Sequence, residues 1–281
     1  MVRLRLDRAI DVRHLGREHV ICANLVGDVV IDPGPASSVE TLIEELGDVR
    51  PRALLLTHIH LDHAGATGVL VRRFPELAVY VHERGAPHLV DPSRLLKSAG
   101  RIYGEHMDML WGEVVPVPQE NVRAVAGGET VEGFRVQYVP GHAVHHVCWL
   151  HEESGEAYVG DMGGIRMPRH EYTYAPTPPP DIDIAQWLDS IERIRAMTPV
   201  ALNLTHFGRY EDVDDQLDRV AAWLTRRAGD ARDKDLAGFE SALRAEVVAA
   251  VGEEDAEAYF QAAPPEQLWW GLSRYWELQK A

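Results

Sequence analysis

The chain has 281 residues, 46% apolar and 26% charged, an ordinary globular usage that excludes collagen-like, coiled-coil and disordered classes. Its 44 acidic against 28 basic side chains leave a formal charge of -16, a field that repels nucleic acid and anionic membrane surfaces and favours a small-molecule substrate. No apolar run approaches the roughly 20 residues of a bilayer span. Met1 to Asp11 alternates charge with Val and Leu, unlike a secretory leader, so a cytoplasmic location is the expectation. Cys22 and Cys148 each lie in an apolar stretch, the setting of buried thiols in a reducing compartment.

In chain order, Val20 to Val26 and Asp28 to Ile31 are apolar runs broken at Gly27 and ended by Asp32-Pro33-Gly34-Pro35, the pattern of a hairpin followed by a turn. Ser37 or Ser38 is a candidate cap for a helix to about Leu46, with Val39, Leu42, Ile43 and Leu46 on one face. Ala53 to Leu56 is short, continuously apolar and ends in Thr57, which fits a strand buried on both faces. A helix is expected from Asp62 to about Phe74, a strand over Leu77 to Val81, and an irregular helical segment over 86–112, interrupted by Asp91-Pro92 and Gly104. Strands over Phe134 to Val139, Val147 to Leu150 and Ala157 to Val159 follow without intervening helices. Tyr172 to Pro180 is held extended by its prolines. Asp183 caps a helix carrying Trp187, Ile191 and Ile194, and Val200 to Leu204 reads as a last buried strand. Beyond Tyr210 come four helical periodicities, Val213 to Arg227, Leu236 to Val251, Asp255 to Ala262 and Pro265 to Gln279. The mixture of hairpins and helices argues for an α/β fold of packed sheets covered by helices over residues 1–209, with 210–281 as a helical extension, and against a doubly wound parallel sheet.

Fourteen histidines stand out, because His is the commonest metal ligand. Four potential ligands fall within His58-Ile59-His60-Leu61-Asp62-His63, just past a buried strand. In extended chain i and i+2 share a side, so His58 and His60 converge on one cation. Asp62 and His63 then sit at a loop-to-helix junction. Pro140-Gly141-His142, Gly160-Asp161 and Thr205-His206 each place another ligand type just past an apolar strand, where loops gather at one sheet edge. Five histidines and two aspartates form an N/O set suited to zinc or iron.

This combination, with Asp32-Pro33-Gly34 upstream, resembles the metallo-β-lactamase superfamily over about residues 18 to 208. The resemblance implies a four-layer αββα sandwich with the site at one edge. It implies that His58, His60 and His142 hold a first metal, that Asp62, His63 and His206 hold a second, and that Asp161 bridges. It also implies that Asp32 lies behind the site and steadies the ligand loops. The expected reaction is hydrolysis of a small ester, thioester or lactone by a hydroxide bridging two divalent ions, zinc first and iron or manganese next, with Asp62 and Asp161 as the carboxylates at the reacting centre. Glyoxalase II enzymes share the ligands and a C-terminal helical region. A mononuclear iron persulfide dioxygenase, a phosphodiesterase and a non-catalytic binding module are the alternatives.

His146, four residues past His142, is a candidate to line or support the site, more so than His145. Arg166, Tyr172 and Tyr174 follow Asp161 and are candidates to orient the substrate. His82 to His88 and the segment carrying Tyr103, His106 and Trp111 are read chiefly as a solvated turn and as core packing, with the pocket mouth and a lid as their functional readings. The aromatic stretch Leu268 to Trp276 is expected to dock onto the sandwich, a homodimer interface or a substrate wall being its other readings.

Overall fold

Alternation along short apolar strands sets the architecture. In the computed structural model, which describes residues 7–280 and so leaves Met1 to Leu6 and Ala281 outside, twelve strands form two six-stranded sheets. The first contains β1 (Arg8–Asp11), β2 (Cys22–Val26), β3 (Val29–Ile31), β4 (Ala53–Leu55), β5 (Ala78–His82) and β6 (Val122–Val125), hydrogen-bonded in that order. From β3 to β6 it is parallel, and β1 and β2 are antiparallel additions. The second runs β12 (Gly208–Tyr210), β11 (Ala201–Leu204), β10 (Glu156–Tyr158), β9 (Val147–His151), β8 (Phe134–Tyr138), β7 (Thr130–Val131), with only the β10–β11 pair parallel.

Successive side chains point to opposite faces of a strand. Accordingly Val29, Ile31, Ala53 and Leu55 meet Phe134, Val136, Val147 and Trp149 in the core between the sheets, whereas Val30, Leu54, Cys148 and Leu150 join the larger outer core. Into that outer core pack α1 (Val39–Leu46), α3 (Thr67–Arg73) and α7 (Ile184–Ala196), giving helix, sheet, sheet, helix. Both cysteines are buried free thiols, and burial pushes the Cys22 thiol up to about 12. The carboxylate of Asp183 accepts from the Gln186 amide and caps α7.

Four helices close the chain: α8 (Val213–Asp233), α9 (Leu236–Val251), α10 (Glu253–Ala262) and α11 (Pro265–Leu278). Leu217, Phe239, Tyr259 and Leu268 belong to the same apolar cluster as Trp187 and Ile191 of α7, so these helices continue the sandwich core. Among the described residues no helix is long and apolar enough to cross a membrane.

The structure corrects several expected elements. The helix expected from Asp62 is two, α2 (Leu61–Ala64) and α3, because the Asp32 turn takes over the backbone bonds: Gly34 N–H donates to His63 O at 3.0 Å and Ala66 N–H to Gly34 O at 2.9 Å. Neither serine caps α1; Ser37 Oγ donates to Leu110 O at 2.6 Å. Strands β1, β6, β7 and β12 escaped the apolar pattern because each carries exposed or half-exposed side chains. The irregular segment resolves into α4 (Ala86–Val90), α5 (Ser93–Tyr103) and α6 (Met107–Trp111).

Candidate metal centre

The seven predicted ligands come together at one edge of the sandwich, each just beyond a strand or at the start of α2. His58, His60, Asp62 and His63 follow β4, His142 follows β8, Asp161 follows β10 and His206 follows β11. Two glycines make the approach possible. Gly141 has φ 134°, and a Cβ there would lie 2.4 Å from the Trp187 backbone, so only glycine brings His142 in over α7. Gly160, at φ 50°, would put a Cβ 2.4 Å from Thr57 Oγ1, and its absence lets Asp161 close against the β4 loop.

Two donor groups result, and within each the ligand atoms lie within 4.8 Å of one another. In the first, His60 Nδ1 is 3.0 Å from His58 Nε2 and 2.9 Å from His142 Nε2, and Asp161 Oδ2 is 3.1 Å from His142 Nε2. In the second, Asp161 Oδ1 is 3.0 Å from His63 Nε2 and 3.4 Å from His206 Nε2, while Asp62 Oδ2 is 3.3 Å from His206 Nε2. Tetrahedral coordination at metal–nitrogen distances of about 2.0–2.1 Å separates ligand atoms by about 3.3 Å, close to this spacing. Asp161 thus presents one oxygen to each group.

The far ring nitrogens explain which way the lone pairs point. His142 Nδ1 donates to Pro176 O at 2.9 Å, His206 Nδ1 to Val20 O at 2.7 Å, and His63 Nδ1 to Asp32 Oδ2 at 2.8 Å. In a neutral ring this leaves Nε2 as a bare acceptor facing the carboxylates, an arrangement that calls for a cation between them. His63 Nε2, His206 Nε2 and Asp161 Oδ1 are buried with no hydrogen-bond partner among the described residues. The donor set and these orphaned atoms fit a pair of divalent ions.

Electrostatics agree. Burial alone would lower His63, but the charges of Asp161, Asp62 and Asp32 hold it well above the usual imidazole range. Burial would raise Asp161, and His63, His142 and His206 hold it well below the usual carboxylate range. Around His58, burial and then the neighbouring imidazoles His63 and His60 push the ring well down. The carboxylates thus draw positive charge to the second group, where His206 is raised as well, while burial keeps protons off His58, His60 and His142 in the first.

Asp32 lies behind the centre, fully buried and at φ 48°. It accepts from Thr57 N at 2.8 Å, Thr57 Oγ1 at 2.6 Å, Thr205 Oγ1 at 3.0 Å and His63 Nδ1, so one carboxylate ties the ends of β4 and β11 to α2. His146 is buried behind His58, ring stacked at 4.7 Å.

A cavity of about 580 Å³ opens over His60, Asp62 and Asp161. Its wall includes His145 and His14, which sequence reasoning ranked low or passed over; both rings are buried, and each Nδ1 has no partner among the described residues. Arg84 and His88 line it, as do Tyr103, His106 and Trp111, so the segment after β5 forms a lid and not only core; His82 instead stacks on Tyr138 at 4.5 Å. Leu268 and the end of α10 form another wall.

Arg166, Tyr172 and Tyr174 do not reach this cavity. Arg166 pairs with Asp212 at 2.8 Å, Tyr172 Oη donates to Glu246 at 2.8 Å, and Tyr174 Oη donates to Tyr259 O and Ala263 O. The loop after Asp161 turns its side chains under the C-terminal helices, where their polar groups anchor α8 to α10.

The family model of the metallo-beta-lactamase superfamily matches residues 25–206, which contain every ligand named above. The chain belongs to the metallo-beta-lactamase superfamily. Among curated superfamily relatives, the metallo-beta-lactamase fold-containing protein ST1585 of Sulfurisphaera tokodaii is 26% identical over 208 residues, 71% of this chain and 75% of that protein. A hydroxyacylglutathione hydrolase of Thermosynechococcus vestitus is 30% identical over 171 residues, and the match spans 60% of this chain and 53% of that enzyme. Among solved structures, the superfamily protein TTHA1429 of Thermus thermophilus has a TM-score of 0.64 at 20% identity, covering 92% of this chain and 90% of that one. TTHA1623, solved in a di-iron-bound form, has a TM-score of 0.53 at 25% identity over 71% of this chain and 94% of its own. The four-layer fold is shared with both.

Proposed function

We propose that this chain is a dinuclear metal-dependent hydrolase of a small ester, thioester or lactone. The observation that carries the reading is Asp161, whose two oxygens face two separate groups of buried imidazoles beneath one cavity. His58, His60 and His142 would hold one ion and Asp62, His63 and His206 the other, with Asp161 between. Bound there, two divalent ions supply a water activated at neutral pH and polarisation of a carbonyl oxygen. The N/O ligand set suits zinc, and the di-iron form of TTHA1623 makes iron the next candidate.

The chain's own groups do the rest. Asp62, with 18% of its side chain exposed against 3% for Asp161, is the ligand carboxylate more open to the cavity and is placed to take a proton from the attacking water. The carbonyl acceptors behind His142 and His206 fix their tautomers, and Asp32 fixes that of His63. We put thioesters first in the panel because part of this chain is similar to a hydroxyacylglutathione hydrolase. A mononuclear iron persulfide dioxygenase would leave Asp62, His63 and His206 without a use, although they are as well formed as the first group. The test is hydrolysis of ester, thioester and lactone panels by zinc-, manganese- and iron-loaded protein, with oxygen uptake measured alongside. Hydrolysis lost in His60→Ala supports the reading; oxygen uptake with a persulfide and no hydrolysis overturns it.

A further inference from the structure

The loop between β1 and β2 turns a histidine into the cavity that the hydrolysis above does not use. His14 is 2% exposed and lines the cavity wall, while its neighbour Leu15 is 47% exposed. That inverts the ordinary order, in which the leucine is covered and the imidazole is not. The backbone is bent to achieve it: Arg13 at φ 47° and Leu15 at φ 54° stand in the left-handed region on either side of His14. Such conformations persist only where the surroundings over-determine them, and they cluster at functional sites.

The surroundings here are specific. The Asp11 carboxylate closes the loop, accepting from Arg13 N–H at 2.9 Å and His19 N–H at 2.7 Å. Gln261 of α10 donates through Nε2 to His14 O at 2.8 Å and accepts from Arg17 Nε at 2.8 Å. The same loop carries Val20, whose carbonyl accepts from His206 Nδ1, and its His19 packs edge-on against Phe207, so it is keyed to the second ligand group. Trp111 of α6 stacks on the His14 ring at 5.6 Å with an interplanar angle of 8°.

Backbone and ring face are therefore fixed, yet the ring edge is not paired: Nδ1 is buried without a partner among the described residues. Buried rings away from the ligands are bonded, His82 Nδ1 accepting from Arg84 N–H at 3.2 Å and His151 Nδ1 lying 2.9 Å from Ser154 Oγ. An imidazole held rigidly in a cavity wall and left unpaired is a hydrogen-bond site waiting for a ligand. Burial, opposed by Asp62 and helped by His206, pushes His14 down to about 4, so at neutral pH the ring is uncharged and has one N–H to give.

Resting on the hydrolase reading above, we propose that His14 is a further catalytic residue, donating a hydrogen bond to the substrate's carbonyl oxygen on the side of Asp62 and His206 as that oxygen becomes an oxyanion. The water oxygen bonds to the carbonyl carbon, a water proton passes to Asp62, and the π pair moves onto the carbonyl oxygen, where the His14 N–H meets it. His14 keeps its proton throughout. A donor fixed before the reaction costs no reorganisation when the charge develops.

The test compares wild type with His14→Phe, which keeps a ring to stack on Trp111 but has no N–H, and His14→Gln, which restores a donor. Zinc content and the visible spectrum of cobalt-substituted protein report on the metal centre. Both stay as in wild type. In His14→Phe, kcat for the best panel substrate falls about 100-fold or more at unchanged KM, the pattern of a contact made only in the transition state. The affinity of zinc-loaded protein for methylphosphonate, a tetrahedral oxyanion, falls about tenfold or more by calorimetry. His14→Gln recovers much of both. Wild-type kcat in His14→Phe, a lower kcat with unchanged phosphonate affinity, or zinc lost from both variants overturns the proposal. Phosphonate binding that depends on His14, in a wild type that hydrolyses nothing in the panel, leaves the hydrogen bond standing and overturns the hydrolase reading instead.

Discussion

Replacing Asp32 by Asn tests how the buried carboxylate organises the ligand loops. Asp32 accepts four hydrogen bonds, three on Oδ2 and one on Oδ1. An amide of the same shape accepts through one oxygen only. If that oxygen faces His63 and the two threonine hydroxyls, its NH₂ meets the Thr57 N–H; if it is turned, the NH₂ meets His63 Nδ1–H. Either way a buried donor loses its acceptor, at a cost of about 1–3 kcal/mol. Because His63 is held through this contact, zinc affinity at the second group falls about 10–100-fold. Asp32→Ala, which strands every donor, costs about 3–5 kcal/mol. Urea unfolding of metal-free and zinc-loaded protein, with chelator competition for affinity, reads both effects. Wild-type zinc affinity and an unchanged unfolding midpoint in Asp32→Asn would refute the reasoning.

Gly141→Ala places a Cβ within 2.4 Å of the Trp187 backbone and strains φ as well, so it lowers stability by about 2 kcal/mol or more and reduces metal content at the His142 group, read by denaturation and elemental analysis. His145→Ala keeps both metals but lowers kcat/KM by about tenfold or more, the loss expected when a cavity-facing polar group is removed; loss of metal instead would make it a ligand. Glu246 would be raised by burial, yet Arg226, Tyr172 and Arg227 hold it down to about 2 from an ordinary 4.5. Its stabilisation is therefore complete above pH 4.5 and lost as pH falls towards 2, so the stability gap between wild type and Glu246→Gln shrinks from about pH 7 to about pH 3. A gap that does not change with pH would count against the Arg226–Glu246–Arg227 cluster as an anchor.

The candidate metal ligands were legible because their chemistry breaks the apolar pattern. His58 and His60 directly follow a strand that otherwise has no need of polarity, and His142, Asp161 and His206 each repeat that break. The sandwich was legible from the order of hairpins and helices, and the hinge between α2 and α3 was not, since it depends on the distant Gly34 turn. The substrate contacts were misplaced for a physical reason. Proximity to Asp161 in sequence suggested Arg166, Tyr172 and Tyr174, but Asp212, Glu246 and Tyr259 lie far along the chain and draw those side chains away. His14 and Tyr103 reach the cavity through contacts with Trp111 and Gln267 that no local pattern encodes. The irregular helical segment between strands that carries Tyr103, His106 and Trp111 is the signal that pointed to a lid.

The central claim is that two cations share Asp161, and metal content tests it most directly. Elemental mass spectrometry of protein purified without added metal, on wild type and His206→Ala, should give about two equivalents of zinc, manganese or iron in the first and about one in the second, each cation being held by its own group of ligands. About one equivalent of iron in wild type, unchanged in His206→Ala, would contradict the dinuclear centre.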